Sequence, residues 1–171
     1  MREAERIAKQ LKRAHEGHAW HGPSLKELLG GVTAAQAAAR PVEGAHSIWE
    51  LVLHIEAWER AALRRLSGDP AQIYNTAEDW SDERAADEEG WSAALRLLGE
   101  TSAALRQAII KLEDSQLDEP IYPQMSSRYV TLHGVVQHTL YHAGQIALLK
   151  KALSLPSGYI PPTTPDATAT P

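Results

Sequence analysis

Apolar residues recur at helical spacing along nearly the whole chain, and no stretch keeps the two-residue alternation of a strand convincingly. Ile7, Leu11 and Ala14 follow i, i+4, i+7 and mark one face of a first helix. Gly17 and Gly22-Pro23 break it; Ser24 then caps a short turn, Leu25 to Leu29, closed by Gly30-Gly31, and Thr33 to Ala39 reads as another short piece before Pro41. Ser47-Ile48-Trp49-Glu50 has the form of a capping box, so a second long helix starts there and runs to about Leu66, before Ser67-Gly68-Asp69-Pro70. Residues 69–81 read as a loop. A third long helix lies between Ser81 and Leu112, with Trp91, Leu98, Leu105 and Ile109 on its apolar face and acidic residues towards its N-terminal end. Residues 114–127 form a second loop with two prolines. Thr131 is the expected N-cap of a fourth long helix, Leu132 to Leu153, with Lys150 and Lys151 in its last turns. The expected fold is all-α: a four-helix bundle with a short extra helical connection between helices one and two, occupying residues 1–156. The Pro- and Thr-rich residues 157–171 are expected to be a disordered tail.

Composition narrows the function classes. The chain has 171 residues, a formal net charge of -5 and no Lys/Arg-rich run, so it lacks the basic face that nucleic-acid binding normally needs. It contains no cysteine, which removes disulfides, thiolate metal sites and a cysteine nucleophile together. No apolar run approaches the roughly 20 residues that span a bilayer, and Met1 to Gln10 lacks an apolar signal core. The expectation is a cytoplasmic protein with a small-molecule substrate, and with neither nucleic acid nor membrane as partner.

Eight histidines remain to be explained. His138 and His142 are one turn apart on the stripe Thr131, Val135, His138, His142, Gln145, Leu149, which also carries apolar residues that must face the core. Two adjacent inward imidazoles can chelate one ion, or can be core histidines satisfied by hydrogen bonds to neighbouring helices. His54 lies in the most apolar stretch of helix two and on its own reads as a satisfied core residue, unless it supplies a third ligand to the pair. His133 projects away from that face and reads as a solvated surface residue. His15, His18 and His21 mimic a cluster, but the glycines beside them disturb any regular helix; Trp20 and His21 could still line a pocket. His46 is two turns from His54, too far for the same ion.

The segments Ala45-His46-Ser47-Ile48-Trp49-Glu50-Leu51-Val52-Leu53-His54-Ile55 and Gln137-His138-Thr139-Leu140-Tyr141-His142-Ala143-Gly144-Gln145-Ile146 resemble the second helix and the last-helix His-x-x-x-His-x-Gly-Gln motif of the DinB/YfiT-like family. Trp20-His21-Gly22-Pro23-Ser24 and Trp91 also resemble it, and the likeness covers roughly residues 1–155. The resemblance implies a four-helix bundle, often a homodimer, in which His54, His138 and His142 hold one divalent transition metal ion, nickel or zinc. It also implies a metal-dependent transferase or isomerase using a low-molecular-weight thiol, a metal-dependent hydrolase, or a stress-linked metal-binding protein without turnover.

Three imidazoles leave positions open for water or substrate, the pattern of a catalytic rather than a closed structural site. The sequence lacks His-Glu-x-x-His, so a zincin-type protease with its built-in base is excluded. Catalytic candidates are Glu50, one turn from His54 but also explained by the capping box, and Tyr141 and Gln145, which border the His pair and either orient a reactant or bond between helices. Trp49 and Trp58 are candidate pocket walls or core residues. Metal binding is expected to fade as pH falls towards and below about 6, because each ligand must be neutral.

Overall fold

The computed structural model describes residues 1–81 and 87–155. Four long helices carry the fold: α1 (Glu3–Glu16), α4 (Ile48–Leu66), α5 (Glu88–Ile110) and α6 (Arg128–Ala152). Two short helices, α2 (Leu25–Leu29) and α3 (Ala34–Ala38), form the connection between α1 and α4, and a 3-10 turn (Asp114–Gln116) follows α5. Among the described residues the extended pairing is limited to an isolated bridge between Pro120 and Ser127. The expected tail, 157–171, lies outside the described residues, as does part of the region in which the third long helix was placed. No described helix is long and apolar enough to cross a membrane.

The helix starts follow local chemistry. Ser24, Thr33 and Ser47 each accept a backbone N–H from the residue three positions on, while Glu27, Gln36 and Glu50 reach back to the cap. Asp87 caps α5 through the Gly90 N–H. Gly17 ends α1 at φ 126°, a left-handed conformation that a side chain would resist. The start of α6 corrects the sequence reading: Ser127, not Thr131, is the N-cap, accepting the Val130 N–H, and Thr131 already lies inside the helix. Both residues are good caps; the choice is made by the Pro120–Ser127 bridge and the Arg128 N–H bond to the Glu119 carbonyl, which fix where the loop ends.

Each long helix packs principally on two others, α4 and α1 against both α5 and α6. The apolar core falls into two main parts. One, near α2 and α3, gathers Leu25, Ile48, Leu51, Trp91, Leu98 and Ile146; the other holds Ile7, Leu11, Leu105, Ile109, Leu132 and Val135. Between them in chain order on α4, α5 and α6 come buried polar residues, Glu56 and Glu59, Thr101 and Ser102, and Thr139, and on α1 the buried His15 follows the apolar residues. Glu59 is wholly buried; His15 Nε2 donates to its Oε1 at 2.6 Å and Thr139 Oγ1 donates to the same oxygen at 3.0 Å. Thr101 Oγ1 donates to Glu56 at 2.9 Å. Lys150, in the last turn of α6 as expected, is buried and donates to the Leu28 carbonyl, tying α6 to α2.

Candidate metal centre

The polar layer continues into a group of three imidazoles. His54 comes from the middle of α4, and His138 and His142 from successive turns of α6. The Nε2 atoms of His54 and His142 each lie 3.0 Å from the Nε2 of His138, and one nitrogen from each ring falls within 4.8 Å of the others. Among the described residues this is the one group of three or more His, Cys, Asp or Glu side chains close enough to share an ion.

The far edges of the rings fix what the converging edges offer. His54 Nδ1 lies 2.7 Å from the Asp79 backbone carbonyl, which can only accept, so Nδ1 carries the proton and Nε2 the lone pair. His142 Nδ1 donates in the same way to Gln145 Oε1 at 2.8 Å. His138 Nε2 lies 3.0 Å from both of these lone pairs, and a single proton on it can serve only one of the two, whereas a shared cation would serve all three nitrogens. Ligating histidines are typically held by such a second hydrogen bond. His138 Nδ1 is buried with no partner. The donor set therefore fits a divalent ion that accepts neutral imidazoles.

Electrostatics point the same way. Burial pushes the His138 pKa down to about 3, helped by the neighbouring His142 and His54. Burial also lowers His54, partly offset by the Asp79 carbonyl and carboxylate, and lowers His142, partly offset by Gln145. The rings are held in the neutral form that coordinates a metal.

An outer shell from the 69–81 loop was not visible in the sequence. Asp79 is buried; its Oδ1 accepts Trp58 Nε1 at 2.8 Å and its Oδ2 accepts the Asn75 N–H at 3.0 Å, which aims its carbonyl at His54. Trp80 stacks on His54 with centroids 3.8 Å apart, and on its other face stacks against His46 at 3.5 Å. A cavity of about 510 Å³ opens onto the three histidines, with Trp58, Arg65, Tyr74, Val135 and Tyr141 among its walls.

The other expectations divide. Gln145 orients the His142 ring rather than a reactant, and the largely exposed Tyr141 stands edge-on to His142 at the cavity wall. Glu50 is engaged by the Ser47 N–H at 2.8 Å and by Arg40 at 2.6 Å and does not line this cavity. Trp49 packs in the core against Trp91, whereas Trp58 walls the cavity. His15 is buried on Glu59, apart from the exposed His18 and His21, and Trp20 is fully exposed; neither Trp20 nor His21 lines either cavity. His133 is half-buried rather than solvated, packed on Tyr129 and 3.7 Å from Glu3.

A crystal structure described as the conserved protein of locus from Enterococcus faecalis shares the fold, with a TM-score of 0.68 over 90% of this chain and 98% of that one at 17% identity. A comparison with curated proteins finds no match. A family model for the DinB superfamily matches residues 19–146, a span that contains all three histidines and their outer shell. With well over half of its length matched, the chain belongs to the DinB superfamily, a metal-binding family.

Proposed function

We propose that the protein is a metal-dependent enzyme in which His54, His138 and His142 hold one divalent ion, nickel or zinc, for a group transfer that uses a low-molecular-weight thiol. The observation that carries this reading is the convergence of three neutral imidazole edges at the end of an open cavity. When bound, such an ion supplies Lewis-acid activation, lowering the pKa of a thiol or polarising an electrophile. The chain's own residues hold and orient. Asp79 and Gln145 keep the proton on the far nitrogens of His54 and His142, and Trp80 and Trp58 shield the His54 side from water.

The choice of thiol over water rests on the absence of a free base among the described residues lining the cavity. Its one carboxylate is Asp79, and both oxygens already accept hydrogen bonds, from Trp58 and Asn75. Water activation usually recruits a positioned carboxylate, whereas a thiol ionises with less help. The test gives metal-loaded protein a chloro-dinitroarene with bacillithiol, mycothiol, glutathione or no thiol. Metal-dependent acceleration with one thiol, lost in His142→Ala, supports transfer. Turnover of esters or amides without thiol would replace it with a hydrolase, and inactivity in both screens with tight metal binding would leave a non-catalytic metal-binding protein.

A further inference from the structure

Among the residues that line the cavity at the histidine triad, Arg65 is the one arginine or lysine. His54, Trp58, Ala62 and Arg65 follow one another at i, i+4, i+8 and i+11 on α4, so one stripe of that helix carries a triad histidine at one end and a cation at the other. Trp58 lies between them. The Arg65 guanidinium carbon is 5.8 Å from the Trp58 ring centroid, and the His138 ring is 5.8 Å from Trp58.

Arg65 differs from the other arginines of its helix and of the neighbouring cleft. Arg60 pairs with Glu56 at 3.1 Å and Arg64 with Asp69 at 2.8 Å. A larger cavity, about 650 Å³ between α1, α2 and α5, likewise has its arginines paired, Arg106 with Glu16 at 2.6 Å and Arg96 with Glu100 at 3.4 Å. The partner of Arg65 is neutral: its Nε and Nη2 both donate to the Ala71 carbonyl, at 3.1 and 2.7 Å. The one carboxylate of the cavity, Asp79, is taken by Trp58 and Asn75. Burial and the Arg64 charge both push the Arg65 pKa down, and no acid offsets them. One carbonyl thus holds the Nε–Nη2 edge of the guanidinium and leaves the Nη1–Nη2 edge, a fork that matches a carboxylate. A half-buried cation with no counterion in the fold is costly unless something brings one.

We propose that Arg65 is a specificity-determining residue: the molecule that reaches the triad carries a carboxylate remote from its reacting atom. This rests on the reading of the cavity as the substrate site. The apolar body lies along Trp58, Ala62 and Val135, and the carboxylate takes the open edge of Arg65. Either the thiol or the electrophile can bring that carboxylate, and the experiment separates the two.

The experiment is calorimetric titration of the full chain, metal-loaded and metal-free, with two acid–amide pairs. One pair is a thiol, 4-(mercaptomethyl)benzoate against 4-(mercaptomethyl)benzamide. The other stands in for an electrophile without reacting, 3,5-dinitrobenzoate against 3,5-dinitrobenzamide. In at least one pair the acid should bind about tenfold or more tightly than its amide, one decade in Kd. A preference in the first pair assigns the carboxylate to the thiol, and in the second to the electrophile. Arg65→Met keeps an apolar stem beside Trp58 but no charge, and should bring the acid-to-amide ratio within about twofold. Arg65→Lys keeps the charge and should retain more of the preference than Arg65→Met. Because the ratio compares two ligands on one protein, a general loosening of the cavity does not move it. Equal binding of acid and amide in both pairs, no binding of either acid, or a preference that survives Arg65→Met would each overturn the proposal. Failure of the metal reading shows separately, as no metal by elemental analysis, with the acid preference kept on the metal-free chain.

Discussion

At the scale of single residues, the three histidines differ from the other five in converging on one another, two of them with their far nitrogens held by hydrogen bonds. Protein purified without chelator is expected to hold near-stoichiometric divalent metal by elemental analysis, abolished in His54→Ala and His138→Ala and retained in His133→Ala. Gln145→Ala keeps all three ligands but frees the His142 ring, and should weaken metal binding about 10–100-fold. The titration follows from burial. All three pKa values lie below the ordinary 6.5, so the folded chain resists protons that the unfolded chain takes up. Stability of the metal-free protein is therefore fully present above about pH 6.5 and is lost as pH falls towards the His138 value of about 3. Thermal melts in chelator between pH 7 and about 5, before most carboxylates titrate, should show this slope, and His138→Leu should flatten it. Metal retention should for the same reason persist below the pH of about 6 that free histidine suggests. The grouping of the three histidines was legible through the resemblance of their two motifs to a known family, since spacing alone joins only His138 and His142. Asp79 and Trp80 were not: a histidine's partner here is a backbone carbonyl, which any residue type supplies, and the 69–81 loop has no periodicity to orient a side chain.

At the scale of elements, the sequence was most readable where a cap bonds to its own helix. Ser47 with Glu50 defines the start of α4 within four residues, and the expected capping box is present. Ser47→Ala should cost about 1 kcal/mol in urea unfolding. The start of α6 was misplaced because Ser127 and Thr131 are both favourable caps in isolation, and the decision belongs to the loop's contacts with Glu119 and Pro120. Ser127→Ala should therefore cost about 1 kcal/mol, and Thr131→Ala little or nothing through capping; the reverse order would restore the later start. Glu50 illustrates the other limit. Its proximity to His54 along α4 suggested chemistry, yet the cap and Arg40 take both oxygens.

At the scale of the whole molecule, amphipathic periodicity specifies four helices and which faces turn inward, but not that the interior has a polar layer. His15, Glu59, Ser102 and Thr139 come from four different helices, and nothing local in the sequence marks them as neighbours. His15→Ala leaves the Glu59 carboxylate with Thr139 alone and should destabilise the bundle by about 3 kcal/mol or more in urea unfolding. Adding Glu59→Gln should recover part of that loss. The layer also bears on how the bundle comes apart. The polar layer separates the two main apolar clusters, so the seam between them is the natural place for partial opening. The histidine triad sits beside that seam and joins α4 to α6 across it. An ion at the triad would act as a clasp on the least cohesive level of the protein. Amide exchange around 54–59 and 138–142 should then slow far more on metal addition than exchange in the two apolar halves.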